Sequence, residues 1–426
     1  MQLSNGNGPA PNPAPTLAPA PALIIVENDK LTASDEAADD VFGGSVAVDG
    51  DTIVVGAFRD DDNGLESGSA YVFARTGTVW ALQGKISASS DGSSDDLFGI
   101  SVAVSGDTIV VGAVGDDDNG IGSGSAYVFT RNGTVWTLQE KLTASDGVFD
   151  DEFGNSVAVD GDTIVVGADL DDDSGTNSGN AYVYTRTGTI WALQEKLTAS
   201  DGASGNSFGF SVAVNGDTIV VGAFLDDDNG SDSGSAYVFI RTGTIWALQG
   251  KITASDGASF DLFGVSVDVD GDTIVVGADN DDDNGRESGS AYVFTRTQTV
   301  WALQENLTAS DGAAVDQFGS SVAVNGDMIV IGAIFDDDIG VDSGSAYVFT
   351  RTGTVWALQK KSSLPVTELL VIISELVSRS MVIRLSLAFF STTMSLLKVA
   401  APMCLTFDRN ELVYLEERDI TFFHKG

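Results

Sequence analysis

Nucleophilic and soft-metal chemistry have little to work with in this chain. Its 426 residues contain one cysteine, Cys404, and one histidine, His424. A disulfide framework or a thiolate metal site needs more cysteines than that. Both residues lie near the C-terminus, so imidazole catalysis and histidine-ligated zinc are excluded from the body of the chain. Basic residues are scarce too: 21 Lys and Arg stand against 62 Asp and Glu, a net charge of -41. A phosphate backbone would be repelled, which excludes general nucleic-acid binding. The charge suits a protein held soluble in salty or calcium-rich surroundings, or one that collects cations; a plain solvated acidic surface accounts for it equally. Long apolar runs are missing as well. Glu368, Glu375, Arg379 and Arg384 interrupt the most apolar region, and the uncharged run 385–397 is too short to cross a bilayer, so no membrane span is expected. Residues 1–23 have neither a basic start nor an apolar core. They read as a Pro/Ala-rich disordered linker, with no signal peptide visible.

What the chain does have is repetition. Near-copies of a 55-residue unit begin at Lys30, Lys85, Lys141, Lys196, Lys251 and Asn306, and the sixth ends at Lys360. In the first copy, four β-type runs are separated by turn signals: Phe42–Val48, Thr52–Ala57, Ser69–Arg75 and Thr78–Ser87. Asp49-Gly50 and Thr76-Gly77 mark tight hairpins. Four antiparallel strands at this period read as the blade of a β-propeller, with a β-solenoid as the alternative. TIVVGA is almost wholly apolar, as suits a strand buried on both faces between blades. Phe42 and its counterparts are assigned to packing between blades. So are Trp80, Trp136, Trp191, Trp246, Trp301 and Trp356, for which sugar stacking is the other reading.

Phe42-Gly43 with Gly56-Ala57 recurs in every copy, as Phe98-Gly99 with Gly112-Ala113 through to Phe318-Gly319 with Gly332-Ala333. These pairs resemble the FG-GAP repeat, the blade of integrin α-subunit propellers. The resemblance covers residues 30–360. It implies a seven-bladed propeller, usually extracellular, used in adhesion or ligand binding. One departure matters: many such blades carry a DxDxDG calcium loop between their first two strands. Here that place holds only a short hairpin such as Asp49-Gly50-Asp51, so the family's calcium site is not carried over.

In a propeller, the second-to-third and fourth-to-first loops share one face. Both are acidic here (Asp60–Gly68 and Ser34–Asp40 in the first unit). The regular arginines (Arg75, Arg131, Arg186, Arg241, Arg296 and Arg351) fall on the opposite face. The acidic loops hold the triplets Asp60, Asp61, Asp62; Asp116, Asp117, Asp118; Asp171, Asp172, Asp173; Asp226, Asp227, Asp228; Asp281, Asp282, Asp283; and Asp336, Asp337, Asp338. Hard carboxylate oxygens on glycine-bent loops are what Ca2+ requires, with Asp39 and Asp40 and their counterparts as neighbours. Asp and Asn before Gly are also good turn formers, so solvated turns stand as the second reading. Sequons occur at Asn132, Asn229 and Asn306.

A ring of seven needs a unit after Lys360, yet 361–426 bear no resemblance to the repeat. Read one base out of frame, Leu364–Glu368 permit TASDG, Thr392–Met394 permit DDD, and 397–405 permit ESGSAYVF. The expectation is an aberrant tail that hides a seventh blade. LIIVENDKLTASD from Leu23 aligns with the end of the later units and would donate a closing strand. The full expectation for 24–360 is an all-β propeller of six regular blades, a disrupted seventh and a poorly formed gap. No copy supplies a nucleophile–base pair, so a non-catalytic extracellular or surface binding module is expected, with a protein or glycan ligand. The alternatives are an acidic structural or cation-binding array and a propeller hydrolase.

Overall fold

The computed structural model describes residues 30–362, apart from 36, 38, 89–91, 339 and 342, together with the backbone of Val382–Leu385. The linker 1–23, the strand expected from Leu23, Cys404, His424 and nearly all of the expected seventh blade lie outside the described residues.

The first unit folds into β1 (Phe42–Asp49), β2 (Thr52–Ala57), β3 (Ser69–Thr76) and β4 (Val79–Ile86), each antiparallel to the next. Five further four-stranded antiparallel sheets repeat this order over 102–142, 157–197, 208–252, 266–307 and 318–362. The expected propeller is present, and it contains no helix among the described residues. We number the blades 1 to 6 in chain order.

Period-2 alternation explains the packing. In the second strand of blade 2, Ile109 and Val111 face blade 1, beside Val54 and Val72, while Val110 faces blade 3, beside Val157, Val159 and Tyr182. Every residue of that strand is therefore buried. Each such side chain contributes about 1.5–3 kcal/mol, so one apolar strand fastens two seams.

The Phe-Gly and Gly-Ala pairs meet across those seams. The Gly99 carbonyl of blade 2 lies so close to Gly56 of blade 1 that a Cβ there would sit 2.0 Å from it. The same carbonyl accepts the Ser45 hydroxyl at 2.7 Å. A side chain at Gly56 would push the blades apart, which is the physical content of the motif.

Two sequence expectations change. The hairpin turns sit one residue later than Asp49-Gly50 and Thr76-Gly77. Asp49 pairs with Thr52 and Thr76 with Val79, leaving Gly50-Asp51 and Gly77-Thr78 as the loops. Glycine at the first loop position has φ +55° and +68° respectively, as a Gly-X hairpin demands. Nor is there a gap after blade 6. Leu31, Val46, Val48, Ile53 and Val55 of the first unit share one apolar core with Ala323, Val330, Ala346 and Val348 of blade 6. Blades 6 and 1 thus meet through apolar contact, with the backbone of Val382–Leu385 lying against the first strand of each. The backbone of Val382–Leu385 pairs antiparallel with β1, Val46 opposite Leu385 and Asp49 opposite Val382. No seventh blade is present among the described residues.

Candidate functional site

The ring has two polar faces, as the strand order requires. On one, each arginine grips an aspartate of the neighbouring hairpin; Arg75 Nη2 lies 2.7 Å from Asp51. The same guanidinium covers the Trp80 ring at 5.2 Å. Trp191, Trp246 and Trp356 are buried, and each donates its indole N–H to a glutamine of the preceding blade, Trp246 to Gln194 at 2.9 Å. Packing therefore engages these indoles.

The opposite face brings the two acidic loops together, and the triplet residues divide their work. Asp60 is buried; its Oδ1 accepts the Asp62 amide at 3.1 Å and the Ser69 hydroxyl at 3.1 Å. Asp61 faces solvent and accepts the Glu66 amide at 2.7 Å, capping the loop. Asp117, Asp172, Asp227 and Asp282 accept the amide five residues on in the same way. Asp62 is exposed and turns back toward Asp60.

Between these carboxylates stands a residue that the sequence reading passed over. The Lys85 ammonium lies 2.9 Å from Asp35, 2.7 Å from Asp60 and 2.6 Å from Asp62. Asp35 comes from the fourth-to-first loop, and its ligand oxygen and those of Asp60 and Asp62 all lie within 4.8 Å of one another. The Tyr71 hydroxyl donates to this nest, at 2.6 Å from Asp35 and 2.9 Å from Asp60, and the ammonium lies 5.1 Å from its ring. Lys196 with Asp146, Asp171 and Asp173 repeats the nest, as do Lys251 with Asp201, Asp226 and Asp228 and Lys361 with Asp311, Asp336 and Asp338. Lys141 reaches Asp116 at 2.8 Å and Asp118 at 2.7 Å.

These contacts set the ionisation. The hydrogen bond from Lys85, then that from Tyr71, holds the Asp35 carboxyl below its ordinary range. Burial alone would raise Asp60, but Lys85, the Asp62 amide and Tyr71 together bring it below that range. Burial likewise opposes the charge on Lys85, and its three carboxylates outweigh that opposition and raise it. Asp40 has no lysine. It accepts the Ala37 amide at 2.9 Å and is raised by burial. In its counterparts Asp96, Asp151 and Asp261 burial pushes the carboxyl up to about 6.

Blade 5 departs from the pattern. Asn306 replaces the lysine, and its Nδ2 donates to Asp283 at 3.1 Å. Asp283 is raised by burial and by its neighbours Asp281 and Asp256. The Asn306 amide is thus committed inward, whereas the sequon residue Asn132 is exposed. Blade 3 carries another departure. Asp169 is 5% exposed, its Oδ1 has no hydrogen-bond partner, and burial followed by Glu152 pushes its carboxyl to about 8. Glu152 itself is pushed to about 7 by burial and Asp150. On the axis, a cavity of about 390 Å³ is bounded by the first hairpins, with Asp49, Asp160, Asp268 and Asp270 at its wall. Asp268 is committed to the Val324 amide at 2.7 Å.

The lysine nests had a signal in the sequence: Lys opens every copy except the one that begins at Asn306.

A solved structure of a Bacteroides fragilis protein, provisionally assigned as a 6-phosphogluconolactonase, is similar to this chain, with 11% identity over 74% of this chain and 82% of that one, and a TM-score of 0.49. No curated protein matches. A family model described as the FG-GAP repeat matches residues 25–73, 80–129, 136–184, 191–239, 246–294 and 301–349. Each match after the first takes the fourth strand of one blade with the first three of the next, so the family unit straddles the seam where Phe-Gly meets Gly-Ala. With more than half of its length matched in six consecutive copies, the chain belongs to the FG-GAP repeat family.

Proposed function

We propose that this ring is a non-catalytic recognition module, acting outside the cell or at its surface in adhesion-type contacts with a protein or glycan. The observation that carries this reading is a variable pair on a constant frame. Between each Gly-Ala and its Asp triplet stand Phe58-Arg59, Val114-Gly115, Asp169-Leu170, Phe224-Leu225, Asp279-Asn280 and Ile334-Phe335. No two pairs are alike, while the flanking strands and triplets are nearly unchanged. All six pairs lie on the acidic-loop face. Val114, Asp169 and Asp279 are buried, so what the face presents are the second members of the pairs together with Phe58, Phe224 and Ile334; a rigid scaffold that presents variable short loops on one face is suited to recognition. Against catalysis stands the lack of a nucleophile–base pair among the described residues. The raised carboxyl of Asp169 is sealed from solvent and does not line the axial cavity.

The test is an array of surface proteins and glycans probed with the full chain, and with a variant whose six pairs are all made Phe-Leu. Selective binding by the native chain, lost in the variant, is the expected result. A second reading, an acidic structural ring without a specific partner, is favoured by the lysine nests, which satisfy the triplets internally. A silent array together with an unchanged melting temperature in the variant would select it.

A further inference from the structure

We infer that the seam between blades 2 and 3 carries a docking patch on the acidic-loop face, formed by Ile121, Val148 and Phe149. Its occupant is a cationic protein segment that offers a large apolar side chain flanked by Lys or Arg. The inference deepens the recognition reading and rests on it, but it uses none of the six variable pairs.

Ile121 lies at the tip of the second-to-third loop of blade 2, and Val148 and Phe149 lie in the loop that leads into blade 3. They are 69%, 53% and 66% exposed. The two loops are laced together. The Asp150 amide donates to the Ile121 carbonyl at 2.9 Å, and the Glu152 amide to the Gly122 carbonyl at 3.1 Å. A Cβ built at Gly120 would stand 3.1 Å from the Phe149 nitrogen and 3.4 Å from the Val148 carbonyl carbon. The three residues are therefore neighbours on a backbone fixed before any partner arrives, which lowers the ordering cost of binding.

The other copies serve as the control. Ala or Ser fills both the Val148 and the Phe149 place in each of them, Ser93-Ser94 and Ala258-Ser259 among them. The same loop forms with those small residues: Ser93, Ala258 and Ala313 give their amides to the aspartate three residues on, as Val148 does to Asp151. Packing thus requires neither the valine nor the phenylalanine. Phe260 and Val315 are exposed too, but beside Ser231 and Arg286 rather than beside an apolar tip. Scattered exposed apolar residues are ordinary, whereas a cluster of three large ones marks a contact surface.

Charge selects the occupant. Segments 116–124 and 146–152 hold seven acidic residues and no basic one. Lys141 and Lys196 reach Asp116, Asp118 and Asp146 from the strands, while Asp117 and Asp150 face solvent beside the patch. A second copy of this chain, at net charge -41, is repelled from such a surface. An anionic lipid headgroup is repelled for the same reason. A cationic segment is attracted and held in register by the carboxylates, and its apolar side chain gains from burial against the three residues.

A display library of random dodecapeptides, selected on the full native chain, tests the assignment, and the selected peptides are then titrated by fluorescence polarisation. The expected peptides join a large apolar residue to Lys or Arg and bind more weakly as salt rises. Phe149→Ser installs the residue that other copies carry there. It should melt at the native temperature and weaken those peptides by about tenfold or more, as loss of a central apolar contact does. Adding Ile121→Ser should weaken them further. A library that yields no binder would overturn the inference, as would neutral or acidic peptides, or basic ones indifferent to Phe149→Ser. Binding that is lost when the six pairs are made Phe-Leu, yet kept in Phe149→Ser, would overturn the patch and leave the recognition reading standing. A native chain that self-associates, and becomes monomeric as Phe149→Ser, would give the patch to a second copy and overturn the cationic partner. A neutral glycan whose binding is lost in Phe149→Ser would overturn it likewise.

Discussion

Five seams of this ring join consecutive units, and the sixth joins blade 6 back to blade 1. The five are alike and richly bonded. At each, a serine hydroxyl meets the Phe-Gly carbonyl of the next blade, as Ser156 does at Gly209 at 2.7 Å. An arginine reaches back to a threonine of the preceding blade, as Arg241 does to Thr163 at 3.1 Å, and a tryptophan donates to a glutamine. At the closing seam, Ser321 occupies the serine position with its hydroxyl buried and unpartnered. Met328 stands where the other copies have the threonine. Phe42 is half-buried, whereas Phe98, Phe153, Phe208, Phe263 and Phe318 are fully buried. The apolar core closes the ring, and the polar stitching stops one seam short. Burial is non-directional and tolerates imperfect register. A hydrogen bond across a seam demands that both units be placed to a few tenths of an ångström.

The sharpest way to measure that difference is to delete the same ring on both sides of it. Phe208→Ala removes a fully buried phenyl that packs edge-on against Tyr237 and Phe239. It should cost about 3–5 kcal/mol. Phe42→Ala at the closing seam should cost roughly half as much, because its ring already meets solvent. Denaturant unfolding of both variants gives the comparison directly. Equal losses would show that the closing seam is as tight as the others.

A rise in pH offers a way to loosen one internal seam without mutation. Glu152 belongs to the seam between blades 2 and 3, where its amide donates to the Gly122 carbonyl at 3.1 Å. It and Asp169 bind protons more tightly folded than unfolded. The folded state therefore holds the extra protons from about pH 4, the ordinary carboxylate range, up to about pH 8. Their contribution is complete below that range and is lost as the pH rises through about 7 to 8. Asp35, Asp146, Asp201 and Asp311 act in the opposite sense: they are lowered, and their contribution is lost as the pH falls below the ordinary range. Melting temperature should accordingly decline on the alkaline side, and Asp169→Asn should flatten that decline while leaving the acid limb in place. A native chain equally stable at pH 6 and pH 9 would remove the buried pair from the account.

How far the sequence discloses this molecule follows from the same contrast. Strand positions, blade order and the two polar faces are legible because alternation and repetition are written in residue types. The off-by-one turns were not, since Asp49-Gly50 and Gly50-Asp51 are equally good turn signals and cross-strand pairing decides between them. The aspartates of the nests were legible as a cluster, but their division of labour was not. Only the fold shows that Asp61 caps a loop while Asp60 and Asp62 reach a lysine more than twenty residues away. Closure at six was hidden for a different reason. Blade 6 differs from its neighbours by exchanges such as Met328 for Thr, and nothing in composition shows that the last seam closes on apolar contact with the backbone of Val382–Leu385 against β1.

A smaller test asks whether the polar stitching itself matters. Ser156→Ala deletes a made bond and strands the Gly209 carbonyl, which should cost about 1–3 kcal/mol. Ser321→Ala removes a buried hydroxyl that bonds to nothing, so the same substitution should be neutral or stabilising by up to about 1 kcal/mol. The two variants differ in sign, and a thermal melt suffices to read it. A loss at Ser321 equal to that at Ser156 would mean that the closing seam is stitched after all.

The smallest effect provides the reference against which seam variants are judged, because it lies at no seam. In blade 5, Gln298 occupies the hairpin position that is glycine in the other five copies, at φ +60°. A left-handed conformation costs a side-chain-bearing residue about 1 kcal/mol or more. Glycine removes that cost but adds freedom to the unfolded chain, which returns part of the gain. Gln298→Gly should therefore stabilise by about 0.5–1 kcal/mol. Because the hairpin is exposed and remote from both seams of its blade, the gain should appear unchanged when the substitution is combined with Phe42→Ala or with Phe208→Ala. Additivity in both pairs would show that the ring transmits nothing from an outer hairpin to a seam. A gain that vanishes only beside Phe42→Ala would mean that the closing seam opens before blade 5 unfolds, making it the point at which the ring comes apart.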